Sequence, residues 1–145
     1  MKRTIIALAV VVCFNGMSSA RGITMQKTDT LTYLKSIVSN KANYIGRPFS
    51  ALLSDLQIQI KRFAPIADIS QDMSKETSTN FSFHFPQSID EFHLTFPKLN
   101  ISWQTHLNAT TSQYLFKKYN KGGWTQEVID FYSTAIIKNI ELFEE

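Results

Sequence analysis

Apolar and polar positions along this chain repeat with two different periods, and each switch of period marks a new element. Leu31, Leu34, Ile37 and Val38 recur at helical spacing, behind Asp29 or Thr30 as a cap and ahead of a stop before Gly46. Phe49, Leu52, Leu53 and Leu56 make a second, shorter apolar stripe. Pro48 suits the first turn of that helix, where its missing N–H costs nothing. The period then falls to two. Leu56, Ile58 and Ile60 alternate with Gln57, Gln59 and Lys61, which predicts a half-buried strand ending near Phe63 and interrupted by Pro65. Residues 68–79 are rich in Ser, Thr, Asp and Lys and read as a surface loop.

Three more period-two runs follow: Phe81, Phe83 and Phe85; Phe92, Leu94 and Phe96; Leu99, Ile101 and Trp103. One antiparallel register puts all of these on one face, with Phe85 opposite Phe92 and Phe96 opposite Leu99. Phe83, Leu94 and Ile101 would then form a central row. Residues 108–124 fit either helix or strand until Gly122-Gly123 breaks them. Thr125 is placed to cap a helix carrying Val128, Ile129, Phe131 and Tyr132. The isoleucine-rich tail from Ala135 to Phe143 favours a closing strand over a continued helix. The predicted fold is α+β: an antiparallel meander of about four to five strands, covered on one face by two N-terminal helices and a C-terminal helix.

The N-terminus supplies an address. Lys2 and Arg3 precede an apolar run from Thr4 to Phe14, and Ser18-Ser19-Ala20 offers small residues to a signal peptidase. The run is about half the roughly 20 residues a membrane span requires. Residues 1–20 therefore read as a signal peptide and 21–145 as a single exported domain, periplasmic or extracellular. Lys2 and Arg3 leave with the leader and no acid does, so most of the formal +3 charge is lost on export. The basic balance then says little for a nucleic-acid partner. The one cysteine, Cys13, lies in the leader, behind Val12 and not behind the small residue a lipoprotein signal needs. The exported domain has no thiol for a disulfide, a zinc site or a nucleophile, and no span in it is long enough to be transmembrane.

Candidate chemistry is sparse. The meander register makes His84 and His93 cross-strand neighbours, with Cβ atoms about 5 Å apart. Glu91 lies two residues from His93 on the same face as a third potential metal ligand, whereas His106 is roughly 13 Å away along the strand. No known ligand spacing is matched, so no metal and no cofactor is expected. The chain holds no G-x-S-x-G, H-E-x-x-H or S-x-x-K, and the adjacent Asp90 and Glu91 point to opposite faces of a strand. Gly122-Gly123 lacks the lysine and hydroxyl of a phosphate loop. Three glycosylation sequons, at Asn80, Asn100 and Asn108, read as products of a chain rich in Ser, Thr and Asn. Catalysis is therefore not the leading expectation.

One stretch suggests a binding face. Tyr114, Lys117, Lys118, Lys121 and Trp124 interleave aromatic rings with cations. In an exported domain such a face suits an envelope glycan, an anionic lipid or a protein better than nucleic acid, and for the domain as a whole a small apolar ligand is a further candidate partner. The plainer reading has the rings in the core and the lysine stems lying over them. Gly46-Arg47-Pro48-Phe49-Ser50-Ala51-Leu52-Leu53, followed by Leu56-Gln57-Ile58-Gln59-Ile60, resembles the helix-then-strand unit of small envelope binding modules. The resemblance covers about fifteen residues and assigns no functional residue. These features together suggest a non-catalytic binding module, with a small-ligand carrier and an enzyme of unrecognised site as rivals.

Overall fold

The computed structural model describes residues 27–68, 70–85 and 96–144. The fold is α+β with one antiparallel four-stranded sheet in the order β1-β2-β3-β4. Helix α1 is Lys27–Ser39, followed by a 3-10 turn at Lys41–Asn43 and by α2 at Phe49–Asp55. Strands β1 (Arg62–Asp68), β2 (Asp72–Ser82) and β3 (Lys98–Asn108) come next. Helices α3 (Ala109–Lys118) and α4 (Gln126–Ser133) then lead to β4 (Ile137–Phe143). Residues 1–20, the expected leader, lie outside the described residues. Among those described, no helix is long and apolar enough to cross a membrane.

Several elements match the periodicity. Leu34 and Ile37 of α1 and Phe49 and Leu52 of α2 are buried. Asp29 and Thr30 lie inside α1, not ahead of it, and Pro48 occupies the N-cap of α2, one residue before its first turn. The tail is the strand β4. The ambiguous stretch is helix α3, and its cap is Asn108, whose side chain accepts the Thr111 N–H at 3.0 Å. Thr125 takes the N-cap position of α4 without a capping bond from its hydroxyl.

Three expectations are corrected. Residues 56–61 are not a strand; the strand is β1, which runs through Pro65. Proline survives there because β1 is an edge. The Phe63 N–H points away from β2 to the Gly122 carbonyl (2.9 Å), and Pro65, two residues on, would aim its N–H the same way. The supposed loop at 68–79 is largely β2. Its polar composition hid it, although Glu76, Ser78 and Thr79 are buried.

The meander register also fails. Phe81 pairs with Leu99 and Thr79 with Ile101, so β2 and β3 are direct neighbours with no strand between them. The alternation of Phe81, Leu99, Ile101 and Trp103 is real, and all four are buried. The row of Phe83, Leu94 and Ile101 is not: Ile101 sits between Thr79 and Ile140, and Phe83 is half-buried beyond the end of β2. Leu94, like Phe92, lies outside the described residues.

Aromatic side chains fill the space between this sheet face and the helices. Phe49 of α2 stacks on Phe81 with ring centroids 4.8 Å apart and meets Trp103 edge-on at 5.6 Å. Tyr132 of α4 stacks on Trp103 at 5.6 Å and meets Phe63 and Phe81 at 5.5 and 5.7 Å. Contacts of this kind add about 0.5–1.5 kcal/mol each beyond simple burial. On the opposite face, Asn100 is buried and donates to Asn80 Oδ1 at 2.9 Å.

Candidate functional site

The ladder between β2 and β3 is interrupted. Ser78 pairs with Ser102, yet Glu76 pairs with Leu107, so four residues of β3 bulge away from one of β2. The break turns Glu76 inward beside Thr79. Tyr132 donates to Glu76 Oε1 at 2.9 Å, Thr79 donates to the same oxygen, and Trp103 Nε1 donates to Thr79 Oγ1 at 2.9 Å. Oε2 is buried without a partner among the described residues. Burial raises the Glu76 carboxyl above its ordinary value, against the opposing pull of Ser112, Thr79 and Tyr132. Tyr132 is raised as well, by burial and then by Glu76, so its phenol stays protonated and donates. Glu76 has no exposed surface. Its hydrogen bonds, through Thr79 and Tyr132, link β2, β3 and α4.

Among the described residues, two surface hollows have largely apolar walls. The first, of about 440 Å3, lies between α2 and α4 and is lined by Leu53, Leu56–Ile60, Trp124 and Ile129. It is open to solvent and none of its lining residues is charged. Trp124 forms part of it while its ring reaches inward to Phe81 at 5.5 Å and Phe63 at 6.4 Å. The second hollow, of about 420 Å3, is lined by Met73, Ala109, Thr110, Gln113, Tyr114 and Lys117. Met73 and Tyr114 are both well exposed there.

The five residues of the expected binding face therefore divide. Tyr114 and Lys117 line the second hollow. Lys118 is paired with Glu127 at 2.6 Å and lies over the rings of Tyr114 and Tyr119. Lys121 sits in the turn after α3 with φ +60°, its carbonyl taken by the Arg62 guanidinium. Trp124 belongs to the first hollow. Of the expected metal group, His84 stacks on Phe96 at 3.8 Å, and His93 and Glu91 lie outside the described residues. His106 is exposed on β3. Among the described residues no three His, Cys, Asp or Glu side chains come together as a metal site.

Sequence reasoning missed two features. Glu76 lay in a stretch read as loop, and nothing in its neighbours signals burial. The periodicity assigns Ile58 to a half-buried strand and Ile129 to a helix without pointing to a hollow, and both line the first one. Part of the signal was present: Leu56 and Ile58 are only half-buried beside the hollow, while Ile60, which also lines it, is buried in the core. No protein-family model matches this chain, and no curated protein or solved structure compared with it matches either.

Proposed function

We propose that the protein is an exported, non-catalytic binding module of the periplasm or cell surface, and that it binds through the hollow between α2 and α4. The observation that carries this reading is the convergence of Leu53, Leu56, Ile58, Trp124 and Ile129 on one open, uncharged hollow of about 440 Å3. These five side chains are half-buried, and apolar groups left partly open around one hollow suit a contact surface. In this reading α2 and α4 cover the aromatic sheet face, and α1 closes the β4 side through Leu34 and Ile37. The ring packing supports a module over a carrier, because Phe49, Phe81, Trp103 and Tyr132 occupy the space a ligand would need.

The hollow is tested with the apolar dye 1-anilinonaphthalene-8-sulfonate and amide chemical-shift mapping. Shifts should gather at Leu53, Ile58, Ile129 and the Trp124 indole, and Ile129→Asp should abolish them. Shifts confined to Tyr114 and Lys117 would move the binding surface to the second hollow. Export is tested by the intact mass of protein recovered outside the cytoplasm. It should begin at Arg21; a species retaining Met1 would remove the address from the proposal.

A further inference from the structure

The sheet is irregular on both sides of Glu76. Towards β1 the register shifts between Ile66 and Ala67 and again between Ala67 and Asp68, and towards β3 the residues from Trp103 to His106 bulge away. Gln104, Thr105 and His106 of that bulge are exposed, so water reaches the bulge and not the carboxyl. Glu76 is faced by Thr79 from its own strand, Trp103 from β3, Ser112 from α3 and Tyr132 from α4, with Ala67 opposite it on β1. Of these only Tyr132 titrates, and none is a cation. Along β2 the charges of Asp72 and Lys75 pair with each other at 3.2 Å. An ionised Glu76 would hold two hydroxyl donors on Oε1 and, among the described residues, none on Oε2. Sealing that charge costs far more than sealing the neutral acid.

Tyr132 connects the carboxyl to the first hollow. Its hydroxyl donates to Oε1, and its ring lies against that of Trp124, with centroids 6.5 Å apart and planes 24° from parallel. Trp124 lines the hollow and meets Phe49 of α2 edge-on at 6.4 Å. Ile129, also in the lining, precedes Tyr132 by less than one turn of the same helix.

We propose that Glu76 controls the hollow between α2 and α4 by gaining and losing a proton, with Tyr132 as the relay: the hollow keeps its shape while the carboxyl is neutral and loosens when it ionises. The proposal rests on the reading of this hollow as the binding surface. Ionisation draws water towards Oε2, and the irregular ladder is the weakest barrier to it. Thr79 and Trp103 are held by strands, whereas Tyr132 sits on a helix of eight residues, so Tyr132 yields and Trp124 moves with it. Burial holds the carboxyl above its ordinary value, which places the change above the usual carboxylate range. Linkage is reciprocal, so a ligand that prefers the closed hollow favours the neutral acid by the same factor.

The test uses the whole exported chain, from mildly acidic to alkaline pH, wherever its far-ultraviolet circular dichroism is constant. The carboxyl carbon of Glu76, the Trp124 indole N–H and the Ile129 methyl resonances should move with one common midpoint. Affinity for 1-anilinonaphthalene-8-sulfonate should fall about fivefold or more through that midpoint, and bound dye should move the midpoint upward. Glu76→Gln should hold the Trp124 and Ile129 resonances still and remove the fall in affinity. Tyr132→Phe keeps the ring and removes the hydroxyl; the carboxyl should still titrate while Trp124 no longer follows. A Trp124 response that persists in Glu76→Gln would overturn the proposal, as would a carboxyl that ionises only when the chain unfolds. Dye affinity that follows pH equally in the native chain and in Glu76→Gln defeats the control and leaves the binding surface standing. Resonances that move together while no dye binds at any pH remove the binding surface and keep the link from Glu76 to Trp124.

Discussion

At Glu76 burial and hydrogen bonding pull in opposite directions, and burial prevails: the carboxyl is raised above its ordinary value near 4.5. Below that value folded and unfolded chains both hold the proton, and the contribution of Glu76 to stability is fully present. As pH rises the unfolded chain releases its proton first, so stability falls until the folded carboxyl ionises as well. Asp72, held down to about 2 by Ser74, acts in the opposite sense and is lost only in strong acid. Urea unfolding of the native chain should therefore weaken from mildly acidic pH towards neutral and above. Glu76→Gln should flatten that decline and be the more stable form on the alkaline side. Phe81→Ala should cost about 3–5 kcal/mol, the usual range for a buried ring, and Phe83→Ala distinctly less, because only Phe81 is fully buried. Denaturant titration of the pair gives the order. The parity of Phe81 and Phe83 was legible in the sequence. Where β2 ends was not, because two identical side chains at the same spacing carry no mark of which one the sheet covers.

The turn from α3 to α4, which packs against β1, shows how an element is fixed by one residue. Asn120, Lys121 and Gly122 all have positive φ, at +48°, +60° and +98°. A Cβ on Gly122 would fall 2.0 Å from the carbonyl oxygen of Phe63, in the strand that Gly122 itself hydrogen-bonds. Gly122→Ala should cost about 3 kcal/mol or more, from the left-handed backbone and the backbone overlap together, and a lowered melting temperature would register it. The break at Gly122-Gly123 was plain in the sequence, as were α1 and α2, since each rests on a local pattern; the tail that forms β4 fitted a helix as well as the favoured strand. What stayed hidden rests on distant partners. Pro65 is tolerated because β1 is an edge. β2 is a strand because Phe81 and Thr79 find Leu99 and Ile101. The alternation at Leu56–Ile60 is not a strand: Leu56 and Ile58 stand half-buried at a surface hollow and Ile60 turns into the core. The candidate site was legible only at Trp124, since the side chains that join it there come from α2, the 56–60 segment and α4.

Across the whole molecule the aromatic cluster joins parts that are far apart in sequence. Phe49 comes from α2, Phe63 from β1, Phe81 from β2, Trp103 from β3 and Tyr132 from α4, so loosening one element exposes rings of the others. Unfolding should be a single event. The near-ultraviolet signal of Trp103 and Trp124 and the far-ultraviolet signal of the backbone should disappear with one midpoint; separate midpoints would divide the core. Pro65 has a consequence beyond the single chain. A sheet grows into fibrils by stacking strand on strand at an open edge, and the only requirement is a run of free donors. On β1 the run is broken in its middle by Pro65, and on β4 Gly46 and Arg47 already occupy part of the edge. Concentrated solutions should therefore stay clear. Pro65→Thr, which restores the donor, should shorten the lag before thioflavin T fluorescence rises. The proline that obscured the strand in the sequence is the residue that keeps neighbouring molecules from adding to it.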